Sequence, residues 1–249
     1  MIFSLAAAPV RGIVLDIEGT TTPISFVYDV LFPYARARVA GYLKRSATAP
    51  GVRADVHRLC EEHTADVARG SAPPPWVDEP PDRRLESAAA YVCWLMEQDR
   101  KSTGLKSVQG RIYEEGYRAG HLRSRFFDDV PPALERWARC GLDVRIFSSG
   151  SALAQQLLFA HGEAGDLTRF LRGYFDTTTG PKTDPASYRR IAEAMRLAPA
   201  EILFISDVTA ELDAAAAAGM QAALCVRLGN PPQPHHPHST IHAFSEIAD

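Results

Sequence analysis

The fold of this chain is decided by the stretch Gly12-Ile13-Val14-Leu15-Asp16-Ile17-Glu18-Gly19-Thr20-Thr21-Thr22-Pro23. Its apolar run at 13–15 is rich in β-branched residues and predicts a buried parallel strand that ends at Asp16. Ligands of open α/β sheets bind beyond the carboxyl ends of the strands. Glu18 shares a side with Asp16 if the chain stays extended, and Gly19 then allows a turn. Taken alone, an Asp-x-Glu after a strand is also typical of a helix cap or a solvated turn.

The bulk composition limits the classes of partner. The 249 residues are 46% hydrophobic, which suits one large domain or a core with a smaller inserted domain. A net charge of -3 leaves no basic surplus for nucleic acid or an anionic membrane. The four cysteines lie far apart without metal-ligand spacing, and no apolar run is long enough to span a membrane. We expect a cytoplasmic, monomeric protein whose partner is a small molecule.

The region 26–125 has the pattern of a helical insertion. Apolar residues recur at helical spacing from Phe26 to Leu43, from Val52 to Val67 and from Leu85 to Met96. A proline-rich segment at 70–84 interrupts them and predicts irregular structure. Since no strand pattern occurs in this region, we predict an all-helical cap domain at 26–125, inserted after the first strand as a possible lid over the strand ends.

The rest of the chain predicts an α/β core formed by residues 1–25 and 126–249. Strand patterns recur at 143–147, 174–177, 201–205 and 222–226, separated by helical stretches. This alternation indicates a Rossmann-like, doubly wound parallel sheet. The strand at 222–226 is the last one that we predict, and the proline- and histidine-rich tail after Gly229 is interpreted as a flexible surface loop.

Polar residues follow each of these strands. Ser148 and Ser149 come after the second, Lys182 lies in a turn after the third, and Asp207 and Glu211 follow the fourth. Each has an ordinary explanation when taken alone, as a helix cap or a solvated side chain. If the strands are parallel, however, all of these groups meet Asp16 and Glu18 at one edge of the sheet.

The order of these groups resembles the four motifs of the haloacid-dehalogenase superfamily of phosphohydrolases, with the cap inserted after the first motif. Glu18 stands where that superfamily usually has a second aspartate. Together with Val108-Gln109-Gly110, Phe147-Ser148-Ser149-Gly150-Ser151 and Ser206-Asp207-Val208-Thr209, this resembles a branch of the superfamily acting in methionine salvage. The resemblance implies Mg²⁺-dependent enolisation and dephosphorylation of 2,3-diketo-5-methylthiopentyl-1-phosphate. Pro181 and the tail depart from the pattern without removing a catalytic group.

The resemblance also implies roles for individual residues. Asp16 would be the nucleophile that forms an aspartyl-phosphate, and Glu18 the acid and base. Mg²⁺ would be held by Asp16, Asp207 and the backbone carbonyl of Glu18. Phosphoryl oxygens would be bound by Ser148, Ser149 and Lys182, with Glu211 orienting Lys182 or a metal-bound water.

The base for enolisation is left open. Lys101, Lys106 and Gln109 of the cap are candidates for contact with the dicarbonyl, although exposed polar residues are ordinary on a helix.

Two other functions remain open as well. One is a general small-molecule phosphatase of the same superfamily, and the other is a catalytically silent binding protein. A dehalogenase fits less well, since it needs neither the second acid nor the metal carboxylates.

Overall fold

A computed structural model describes residues 9–98, 100 and 102–247. Its sheet has six parallel strands in the order β3-β2-β1-β4-β5-β6. The strands are β1 (Gly12–Leu15), β2 (Asp143–Phe147), β3 (Gly173–Phe175), β4 (Ile202–Ser206), β5 (Gln221–Cys225) and β6 (Ser239–Ile241). The chain moves outward from β1 to β3 and then returns to the other side of β1 with β4. This order is that of the Rossmann-like, doubly wound α/β class, so the predicted fold class is confirmed.

The helices follow the predicted alternation. They are α1 (Phe32–Arg45), α2 (Pro50–Ala68), α3 (Pro81–Glu97), α4 (Thr103–Arg118), α5 (Val130–Arg139), α6 (Ala152–Ala160), α7 (Pro185–Met195) and α8 (Thr209–Ala217). A π-helical segment, Phe26–Leu31, leads directly into α1. None of the described helices combines the length and apolarity needed to cross a membrane.

The chain divides into two compact units. The first comprises Met1–Val27 and Arg123–Asp249 and contains the sheet, whereas the second comprises Tyr28–Leu122. In the described part of the second unit, α1 to α4 pack on one another without any strand. The division falls within three residues of the predicted cap boundaries, 26 and 125.

The core of the first unit is apolar because β1 and β4 are buried along their whole length. Helices α7 and α8 cover one part of it. Their inward residues, among them Tyr188, Ile191 and Leu212, pack with Val14 and Phe204. Tyr188, Ile191 and Met195 form the inward face of α7, and all three are buried.

The predicted end of the sheet was wrong. The tail does not stay irregular after β5, because residues 239–241 form β6, which pairs with β5 in parallel. Phe244 and Ile247 beyond it are buried. A three-residue Ser-Thr-Ile strand lacks the apolar run by which the other strands are recognised, and pairing with β5 supplies its stability instead. The proline-rich segment is also shorter than predicted, since α3 begins at Pro81.

Candidate active site

Two buried carboxylates lie at the ends of neighbouring strands. Asp16 follows β1 and Asp207 follows β4, and the register pairs Leu15 with Ile205. Each aspartate is 5% exposed. The strand order reverses between β1 and β4, which is where open α/β sheets form their ligand crevice. The site therefore occupies the position that the sequence predicts.

Lys182 connects two acids of this edge. Its Nζ lies 2.6 Å from Asp16 Oδ1 and 2.6 Å from Glu211 Oε2, and its side chain is 10% exposed. The loop that carries the lysine is fixed from α7, where the Tyr188 hydroxyl donates to the Lys182 carbonyl at 2.7 Å and the Ser187 hydroxyl donates to Pro181 O at 2.8 Å. Lys182 is thus a buried counterion rather than a solvated surface lysine.

The pKa values show an excess of negative charge. Burial would lower the pKa of Lys182, but the carboxylates of Asp16 and Glu211 outweigh burial and raise it. Burial raises the pKa of Asp207 to about 7, and the charges of Asp16 and Glu211 add to this rise against the opposing charge of Lys182. Burial and Asp16 likewise raise the pKa of Glu211 to about 7. Three acids therefore share one ammonium group.

The residues after Asp16 form a tight turn. Ile17 O accepts the backbone N–H groups of Thr20, Thr21 and Thr22 at 3.2, 2.9 and 2.9 Å. Gly19 has a φ of +70°, and a Cβ placed on it would lie 2.2 Å from Asp207 Oδ2. Glycine is required at this position, because the backbone approaches the carboxylate too closely for a side chain. Glu18 is partly buried at the start of this turn.

Three consecutive carbonyl groups of this turn are held by donors from outside it. Asn230 Nδ2 donates to Gly19 O at 2.9 Å, Arg227 Nε to Thr20 O at 3.2 Å, and the Phe127 N–H to Thr21 O at 3.1 Å. We call these donors the turn anchors. Sequence reasoning did not find them, because a side chain that donates to a backbone carbonyl has no motif spacing. The Gly-Asn pair after β5 was the available signal.

The serine loop after β2 is likewise fixed in place. Ser148 is buried, and its Oγ accepts the Gly150 N–H at 3.2 Å, which leaves its own proton available to a ligand. Gln155 Nε2 donates to Gly150 O at 2.8 Å and to Phe175 O at 2.9 Å, so it ties this loop to the end of β3. Ser149 is partly buried beside Ser148.

The first N–H groups of α6 already have acceptors within the protein. Ser151 caps the helix by accepting the Ala154 N–H at 3.3 Å, and Asp176 Oδ2 accepts the Ala152 N–H at 3.3 Å. A carboxylate at this helix end disfavours a second anion. The groups that can bind an anion in this part of the site are therefore those of the serine loop.

The donor set suits a hard divalent cation. Among the described residues, no three Asp, Glu, His or Cys side chains are grouped to hold a metal ion. Asp16, Asp207 and the backbone carbonyl of Glu18 would leave several ligand positions to water and substrate, as Mg²⁺ usually requires. A divalent cation would also balance the negative charge that raises the pKa of Asp207. The residues therefore fit Mg²⁺.

A buried carboxylate at a strand end, a buried lysine and a second aspartate on a Rossmann-like sheet are the arrangement expected of a class of phosphate-transferring hydrolases. The family model of haloacid dehalogenase-like hydrolases matches residues 10–219. The chain belongs to this family, as the four motifs predict, and it is an enzyme of the phosphatase type.

The relatives narrow the class further, to the enolase-phosphatases. The chain is 50% identical over 238 residues to Enolase-phosphatase E1 of Synechococcus elongatus, covering 96% of this chain and 98% of the relative. It is 43% identical to the "Probable bifunctional methylthioribulose-1-phosphate dehydratase/enolase-phosphatase E1" of Arabidopsis thaliana, covering 96% of this chain and 48% of that protein. The crystal structure of the UTR4 protein of Saccharomyces cerevisiae is similar with a TM-score of 0.75 at 31% identity, covering 94% of this chain and 98% of that one.

Proposed function

We propose that this enzyme enolises 2,3-diketo-5-methylthiopentyl-1-phosphate and then removes its phosphate to give the acireductone, with Mg²⁺ as cofactor. The phosphatase step is supported by one observation above all: the buried Asp16 carboxylate at the end of β1 is held by Lys182, 2.6 Å away. The substrate is supported by the relatives, one of which is named as a probable bifunctional methylthioribulose-1-phosphate dehydratase/enolase-phosphatase. Loss of water from methylthioribulose-1-phosphate gives this diketo-phosphate.

In the proposed mechanism, Asp16 attacks phosphorus and forms an aspartyl-phosphate. Its Oδ1 accepts the Ile17 N–H at 2.8 Å as well as the ammonium group, so the carboxylate has one fixed orientation before substrate arrives. Lys182 and the hydroxyl groups of Ser148 and Ser149 bind the phosphoryl oxygens and stabilise the charge that develops on them. Glu18 protonates the leaving oxygen and then activates the water that hydrolyses the aspartyl-phosphate.

Asp16, Asp207 and the Glu18 carbonyl would hold the cation. Bound Mg²⁺ would neutralise phosphate charge and polarise the dicarbonyl group for enolisation. Glu211 keeps Lys182 directed at Asp16, because its Oε2 accepts from the ammonium group and from Ser206 Oγ at 3.0 Å.

The base of the enolisation step stays a prediction. Lys106 and Gln109 of α4 are partly buried, and Gln109 Nε2 has no hydrogen-bond partner among the residues that the structure describes. Lys101 lies outside the described residues.

The proposal includes a monomeric, cytoplasmic enzyme. The compartment is supported by four free thiols: Cys60, Cys93, Cys140 and Cys225. Size-exclusion chromatography with light scattering tests the monomer, and fractionation of the source cells tests the compartment.

The test is turnover of the diketo-phosphate with Mg²⁺, followed by ultraviolet absorbance for the enol and by phosphorus NMR for phosphate release. Asp16→Asn removes the attacking charge and should lower phosphate release by several powers of ten. Asp166→Asn is the matched control, because Asp166 is an exposed aspartate that accepts a hydrogen bond from the Thr168 N–H. Normal turnover in Asp16→Asn would contradict the mechanism. Equal rates on unrelated phosphate esters would indicate a general phosphatase instead.

A further inference from the structure

The turn that carries Glu18 contains a glycine, Gly19, at a position where the backbone must be rigid. Gly19 follows Glu18 directly, and glycine has more backbone freedom than any other residue. Two hydrogen bonds restrain it: its N–H donates to Thr22 O at 2.8 Å, and its C=O accepts from Asn230 at 2.9 Å. The first bond lies within the turn. The second comes from the loop after β5 and ties the turn to the sheet.

Asn230 differs from the other turn anchors in having no large structural task. Arg227 also pairs with Asp129 at 2.9 Å and lies against the rings of Phe127 and Phe244, so its loss would disturb the core. The Phe127 anchor is a backbone group. Asn230 is partly exposed, and its side chain donates to Gly19 O with a longer contact of 3.5 Å to Cys225 O. Its amide also lies 3.1 Å from the position of a Cβ on Gly19.

We propose that Asn230 is a positioning residue for the acid–base step. By holding the Gly19 carbonyl, Asn230 fixes the backbone immediately after Glu18. It thereby sets the position at which the Glu18 carboxyl meets the leaving oxygen. This inference rests on the proposed role of Glu18. A general acid must come within hydrogen-bond reach of its acceptor, and a displacement of about 1 Å can reduce a rate by roughly 100-fold.

The leaving group separates a positioning role from a general structural one. An alkyl phosphate expels a basic alkoxide that needs a proton, whereas p-nitrophenyl phosphate expels a stable anion that does not. A variant with a displaced acid therefore loses kcat/KM on the first ester and keeps it on the second. This holds for kcat/KM, which covers the steps up to loss of the leaving group and not the later hydrolysis of the aspartyl-phosphate, in which Glu18 also acts. A variant with a damaged fold loses activity on both.

The experiment measures kcat/KM for n-butyl phosphate and p-nitrophenyl phosphate with Mg²⁺. It uses the wild type, Asn230→Ala, Glu18→Gln and the double variant. We expect Asn230→Ala to lower kcat/KM roughly 10- to 100-fold on n-butyl phosphate and less than about 3-fold on p-nitrophenyl phosphate. In the Glu18→Gln background, Asn230→Ala should cause no further loss, because the group that it positions is already gone.

Gln221→Ala is the matched control. Gln221 also donates an amide hydrogen to a backbone carbonyl, Ala200 O at 2.7 Å, but it lies at the opposite end of β5. Gln221→Ala should leave kcat/KM unchanged for both esters. Thermal unfolding of Asn230→Ala should stay within about 2–4 °C of the wild type, since one hydrogen bond of a partly exposed loop is lost.

A measurement without activity is also possible, because Asn230 is the single asparagine of the sequence. Selective ¹⁵N labelling of asparagine gives one side-chain amide pair in the NMR spectrum. One of its two protons should exchange slowly with solvent, because it is bonded to Gly19 O.

Equal losses on both esters, a loss that persists in the Glu18→Gln background, or two rapidly exchanging amide protons would each overturn the inference. If Glu18→Gln itself shows no dependence on the leaving group, the proposed acid role fails and the inference fails with it. If Glu18→Gln shows that dependence and Asn230→Ala does not, the inference alone fails.

Discussion

Removal of the Lys182 charge tests the electrostatics of the site directly. Lys182→Met keeps much of the side-chain volume but removes the ammonium group that lies 2.6 Å from both Asp16 and Glu211. The acidic groups of Asp16 and Glu211 then remain buried beside each other and beside Asp207 without a cation. In the absence of metal, the folded state of this variant should be strongly destabilised.

The magnitude follows from the burial of the pair. Breaking a buried ion pair by removing one partner costs about 3–5 kcal/mol, and we expect this loss at pH 8. At pH 6 the loss should be smaller by roughly 1.4 kcal/mol, the free energy of one pKa unit. In the wild type, Glu211 titrates at about 7, midway between these pH values. Without the lysine, its pKa rises further, so the folded variant must bind a proton on Glu211 at both pH values. The wild type also binds this proton at pH 6 but has lost it at pH 8, so the variant is penalised more at pH 8.

The assay is urea unfolding in excess chelator at pH 6 and pH 8. Trp137 is fully buried in the first unit, whereas Trp76 and Trp94 belong to the second. Both proteins should therefore carry Trp76→Phe and Trp94→Phe, so that fluorescence reports the first unit alone.

The control variant is Arg11→Met. It removes the ion pair between Arg11 and Glu201, in which the arginine is largely exposed. Exposed pairs contribute about 0–1 kcal/mol, without the pH contrast expected for Lys182. If Lys182→Met loses no more than this control, or loses the same amount at both pH values, the reasoning about a shared buried cation is refuted.

Three further predictions concern acidic residues. The pKa values of Asp207 and Glu211 are raised to about 7 in the folded state. The metal-free wild type should therefore lose stability as the pH rises from 5 to 8, and Mg²⁺ should reverse the trend. A urea midpoint that does not depend on pH would contradict this. Glu18→Asp shortens the acid by one methylene and should slow dephosphorylation more than enolisation, so that the enol phosphate accumulates in the absorbance and phosphorus NMR assay; unchanged rates in both steps would contradict it. Burial would raise the pKa of Asp66, but hydrogen bonds from Tyr91, Arg100 and Arg69 lower it to about 2. Asp66→Asn should cost the second unit about 2–4 kcal/mol at pH 7 by Trp94 fluorescence, and less as the pH falls toward 2, where the wild-type carboxylate is also protonated.

The sequence predicted the sheet and the convergence of its strand ends because both depend on short-range patterns. A buried parallel strand is an apolar run that ends in a polar residue, and β1 and β4 both have this form. The edge strand β6 lacks it, because only one side of β6 pairs with the sheet. Its position depends on contacts with β5 that no local pattern contains.

The site could be predicted as far as its charged groups and no further. Asp16, Lys182 and Glu211 meet, as the predicted parallel strands require. The turn anchors could not be found, since Arg227 and Asn230 act on carbonyl groups some 200 residues earlier in the chain. The cap of α6 by Asp176 depends in the same way on the neighbouring β3 loop.

The central position of β1 has a consequence for the synthesis of the chain. Gly12 pairs with Asp143 on one side and with Ile202 on the other, so β1 leaves the ribosome long before either neighbour. The second unit is complete at Leu122 and can fold from contacts within itself during that time. During that time, both hydrogen-bonding edges of the four apolar residues of β1 are unpaired. We expect the nascent chain to be most prone to aggregation in this interval, and chaperone binding to be strongest between the emergence of α4 and that of β4.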